Sequence, residues 1–133
     1  MYKNFFVRIA SVFAVVAALA LPLSTASAEE IIVSGTFKGA SNHVTTGGVK
    51  IVKSYDKFQV ILEDNFSLDG APDPKVGFGK DGEYDGASKV APLKNLNGHQ
   101  VYEIPASVDV TQYNEVYIWC EKFSVPLGVA SIK

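Results

Sequence analysis

Between Glu29 and Lys133 the chain never sustains a helical repeat of apolar residues. Short β-branched and aromatic runs alternate in period two, and Gly, Pro, Asn or Asp interrupts them every few residues. Phe58, Val60 and Leu62 alternate with Gln59 and Glu63, so this run predicts a strand with one wet face. Ile31, Val33 and Phe37 share one face of a first strand, and Val49 and Ile51 begin a second after the Gly47-Gly48 turn. Lys75 to Phe78, Gln100 to Ile104, Glu115 to Cys120 and Phe123 to Ala130 complete the set. Pro126 favours an edge or a bulge over a central position. The stretch from Asp64 to Pro92 reads mostly as loop, and turn chemistry accounts for Gly77-Phe78-Gly79-Lys80. The expectation is an all-β fold, an antiparallel β-sandwich or barrel-like domain of about seven to nine strands. No linker and no internal repeat divides residues 29–133, so they form one domain.

Residues 1–28 have a different character. Lys3 and Arg8 give a positive start, Ile9 to Leu21 are mostly apolar, Pro22 breaks the run, and Ala26-Ser27-Ala28 supplies small residues. These are the three parts of a secretory signal peptide, with cleavage expected after Ala28. The apolar run is short for a hydrocarbon layer of roughly 30 Å, so no stable membrane anchor is expected after cleavage. The protein is expected to be periplasmic or secreted. The remaining 105 residues carry ten Lys, no Arg and fourteen Asp or Glu, a net charge of −4. That balance argues against nucleic-acid binding.

Several chemistries are excluded by pattern. Asp81-Gly82-Glu83-Tyr84-Asp85-Gly86 begins like a calcium loop, but position twelve is Pro92 and no helices flank it; it reads as a solvated turn. The glycine pairs lack Walker spacing, there is no Gly-x-Ser-x-Gly elbow, and Cys-x-x-Cys-His is absent. These absences make a hydrolase a poor fit.

Cys120 is the one thiol of the chain. In an oxidising compartment an unpaired cysteine implies burial, a ligand or redox role, or an intermolecular bond. Period two puts Cys120 with Val116 and Ile118 on an apolar face and Tyr117 and Trp119 on the other. His43 and His99 are the two histidines that a sparse metal or haem site would draw on, with Trp119 as a further cofactor-binding candidate. No metal site is assigned, and the identity of any cofactor stays open.

Several segments together resemble the DM-thirteen (DM13) domain family. They are Gly35-Thr36-Phe37, His43, Gly48, Asn65-Phe66, Gly70-Ala71-Pro72-Asp73, Gln100-Val101-Tyr102-Glu103-Ile104-Pro105 and Val116-Tyr117-Ile118-Trp119-Cys120, followed by Phe123, Val125, Gly128 and Ala130. The resemblance covers nearly all of residues 30–132 and is most specific at the Trp-Cys pair. It implies an extracytoplasmic β domain associated with electron transfer, whose characteristic cysteine, here Cys120, is redox active. His43 matches a position often occupied by His, and His99 is not singled out. The leading expectation is a small exported redox module that serves a redox partner protein. The alternative is a non-enzymatic binding or adhesion module for an extracytoplasmic ligand, with Cys120 as a core residue.

Overall fold

Pairing of the alternating runs produces one continuous antiparallel ladder. The computed structural model describes residues 14–18, 20 and 29–133; the expected signal segment 1–28 lies largely outside them. Among the described residues no helix is long and apolar enough to cross a membrane. The strands are β1 (Glu30–Gly39), β2 (Thr45–Thr46), β3 (Gly48–Ser54), β4 (Lys57–Leu62), β5 (Ser67–Leu68), β6 (Pro74–Lys80), β7 (Glu83–Asp85), β8 (Ala91–Pro92), β9 (Gln100–Glu103), β10 (Glu115–Cys120) and β11 (Val125–Ser131). The main sheet runs β7-β6-β10-β11-β1-β3-β4-β9, with β8 also on β6, and it curls into a half-barrel. The fold is therefore all-β and barrel-like, as expected.

Inward-facing alternate residues fill the concave side. Val49 and Ile51, Val60 and Leu62, Val76 and Phe78, and Val116, Ile118 and Cys120 form one cluster, capped by Phe66, Leu68 and Leu127. Each such aliphatic or aromatic side chain contributes roughly 1.5–3 kcal/mol on burial. The β2–β5 ladder closes one end, where Thr45 donates to the Leu127 carbonyl at 2.8 Å.

Four local expectations change. Ile31 is exposed, because a register shift between Ile31 and Val33 takes it out of phase with Phe37. Asp64 to Pro92 is not mostly loop, since β5, β6, β7 and β8 fall within it. Gly77 and Gly79 lie inside strand β6, and the turn is Asp81-Gly82, whose φ of 52° and 87° give the twist of a tight hairpin. Phe123 belongs to the four-residue turn before β11 and is 62% exposed. Pro126 sits at a bulge, where the register slips between Ile118 and Trp119, as the sequence indicates.

Candidate functional site

Cys120 is the last residue of β10, opposite Val125 of β11 and Pro74 of β6. It is 1% exposed, with Val116 and Ile118 on the same buried face. Its thiol donates to the Pro72 carbonyl at 3.1 Å. Only one layer of chain covers it, because Pro72 itself is exposed. With the segment closed as here, the thiol presents almost no surface to another molecule.

The covering segment is Asp69-Gly70-Ala71-Pro72-Asp73, held at its two ends. At the first end Asp69 exchanges backbone and side-chain bonds with β1–β2 loop residues. Its N–H donates to the Val44 carbonyl, its Oδ2 accepts from the Val44 N–H at 3.0 Å, and its Oδ1 lies 2.8 Å from His43 Nδ1. The Val44 N–H first, then the His43 ring, hold the Asp69 carboxyl below its usual range. At the second end the Asp73 carbonyl accepts from the Glu121 N–H, and its carboxylate pairs with Lys75 Nζ at 2.8 Å. Lys75 continues to Glu121, which also meets Lys89 at 3.0 Å.

The convex face behind Cys120 carries an aromatic group. Trp119 stacks on Tyr84 with centroids 4.3 Å apart and planes 13° from parallel, and Tyr117 approaches both edge-on or tilted. The glycines of β6 make room for it. A Cβ on Gly77 would lie 2.7 Å from the Tyr84 ring, and one on Gly79 would overlap the Tyr117 ring and the Glu83 carbonyl. Burial pushes the phenols of Tyr84 and Tyr117 up to about 12, with neighbouring carboxylates adding to the shift. Trp119 is half-buried, more open than a core tryptophan.

The two histidines are not brought together with the thiol into a common ligand set. His43 sits at the same end of the sheet as Cys120 but spends its Nδ1 on Asp69. His99 is exposed in a cleft of about 320 Å³ lined by Lys50, Ile61, Glu63, Asp64 and Asn65. A second cleft of about 440 Å³, floored by Phe58, Ile104, Pro105, Val108 and Val110, also lies away from Cys120. Among the described residues no group of three or more His, Cys, Asp or Glu side chains is placed to hold a metal ion. The donors present do not fit a metal or haem held jointly by Cys120, His43 and His99.

Gln100 and Tyr102 prove structural. The Tyr102 hydroxyl donates to Gln100 Oε1 at 2.5 Å and accepts from the Lys94 N–H, while Gln100 brackets Asn95 on both its N–H and carbonyl. Sequence reasoning missed Asp69 as the anchor of the covering segment and Tyr84 as the partner of Trp119. A Gly followed by two X-Pro steps was the visible signal for the former; the latter pairing has none in the local sequence.

A half-barrel with one thiol sealed beneath a short surface segment and backed by stacked aromatics defines a small β domain organised around a single cysteine. The family profile described as "Electron transfer DM13" matches residues 36–132, and the chain belongs to this electron-transfer domain family. No curated protein and no solved structure matches the chain.

Proposed function

We propose that the domain is an exported electron-transfer module whose redox group is the Cys120 thiol, serving a disulfide- or thiol-bearing partner in the periplasm or outside the cell. The observation that carries this reading is that a separate surface segment closes over the one thiol. The Pro72 carbonyl accepts from Cys120, and the segment is tied to His43 and Val44 through Asp69 and to Glu121 through Asp73. Among the described residues Cys120, His43 and His99 are not gathered into one ligand set, and reversible thiol chemistry needs none.

In the step, Cys120 loses its proton and its sulfur attacks a partner disulfide, R–S–S–R′. A Cys120–S–S–R bond forms, the R–S to S–R′ bond breaks, and R′–S⁻ leaves, taking up the proton. A second partner thiol, R″–SH, then attacks the R sulfur. This restores Cys120–SH and gives R–S–S–R″; a further R″–SH attacks the R″ sulfur, releasing R–SH and forming R″–S–S–R″, so two electrons pass in all from two R″–SH to the R–S–S–R′ disulfide. Because the thiolate is the nucleophile, the Pro72 contact must open first.

Folded protein exposed to glutathione disulfide should form one mixed disulfide at Cys120, reversed by glutathione and read by intact-mass spectrometry. If the adduct forms only in denaturant, the reading is overturned. The 1% exposure of Cys120 would then favour the second reading, a binding module in which the thiol is core.

A further inference from the structure

Exposed Pro72 lies against the thiol through its carbonyl, and the half-buried Gly70 and Ala71 lead into it. Pro72 has no N–H to give, and among the described residues the N–H groups of Gly70 and Ala71 make no backbone hydrogen bond. The Pro72 carbonyl accepts from Cys120, and the Ala71 methyl packs at the edge of the core. On either side the chain is fixed by Asp69 and by Asp73, as described above. The turning points also coincide with these ends. Gly70 has φ of 114°, and Asp73 has φ of 52°, the left-handed region. Few buried contacts and few backbone bonds between two firm anchors are the signature of a segment that opens locally at low cost.

We infer that Gly70-Ala71-Pro72 is a flap that swings off Cys120 between the fixed posts Asp69 and Asp73, leaving the barrel folded, and that this opening admits the sulfur of a partner disulfide or thiol. The inference deepens the redox reading by supplying its access route. Opening exchanges one S–H···O contact and one methyl packing for solvent, and closing restores both. The flap thus protects the thiol from adventitious oxidation between encounters, since susceptibility follows exposure.

Alkylation of Cys120 by iodoacetamide in the folded protein tests this without requiring any electron transfer. Across low urea concentrations the wild-type rate should stay nearly flat and far above the rate set by global unfolding. Ala71→Gly removes the peg and loosens the backbone, and should speed alkylation about tenfold. Val101→Ala, on β9 five strands from β10 along the sheet, should lower global stability yet leave the native alkylation rate unchanged. A wild-type rate that falls on the global unfolding line, or equal acceleration by Val101→Ala and Ala71→Gly, would overturn the flap. If alkylation behaves as expected while Cys120→Ser still transfers electrons, the flap stands and the redox reading fails.

Discussion

At the scale of single residues, Cys120 shows what period two can and cannot decide. Alternation with Val116 and Ile118 placed the sulfur on the buried face, and that much was legible. The hydrogen bond to Pro72, 48 residues away, was not, because a loop's path over a strand end is set by tertiary packing. Cys120→Ser keeps a donor for Pro72 but puts a more polar, smaller group in an apolar pocket. It should cost about 1–2 kcal/mol in urea unfolding without loss of the fold. Asp69 makes a pH-dependent contribution. Its folded-state pKa is depressed, so its stabilisation is present above the unfolded value of about 4 and is lost as pH falls through the lower folded value. The urea midpoint should therefore drop on acidification, and Asp69→Asn should flatten that part of the drop. An unchanged acid profile in Asp69→Asn would remove Asp69 from its role as a post.

Elements expose the limits of reading composition locally. The sequence Gly77-Phe78-Gly79 carries the marks of a turn, yet it is the middle of a strand paired to β10 along six residues. The reason lies on the neighbouring strands, where Tyr84 and Tyr117 occupy the space that side chains on Gly77 and Gly79 would need. Such a glycine is a packing choice, visible only once its neighbours are known. Gly79→Ala meets the fixed Glu83 carbonyl as well as a ring, and should cost about 1–3 kcal/mol. Gly77→Ala meets only the movable end of Tyr84. Its expected effect is to tilt Tyr84 off Trp119, read as a red shift of tryptophan fluorescence with little loss of stability. Equal destabilisation by the two would show that the aromatic group is rigid. The Gln100-x-Tyr102 pair was visible as a motif, but its work in pinning the loop at Lys94 and Asn95 required the structure.

For the whole molecule, the alternating strands were enough to indicate one all-β, barrel-like domain, since curling a sheet buries one face of every strand at once. The order β7-β6-β10-β11-β1-β3-β4-β9 was not readable, because one sequence shows each strand's faces but not its neighbours. On the export proposal, protein recovered from the periplasm or medium should begin at Glu29 on N-terminal sequencing; an intact start at Met1 would contradict it. The central claim is that electrons pass through the Cys120 sulfur. It is tested most directly by the rate at which the folded protein carries electrons from a thiol donor to a disulfide acceptor, compared between wild type and Cys120→Ser. The wild type should accelerate the transfer and Cys120→Ser should fall to the uncatalysed background. Equal rates for the two proteins would contradict the account.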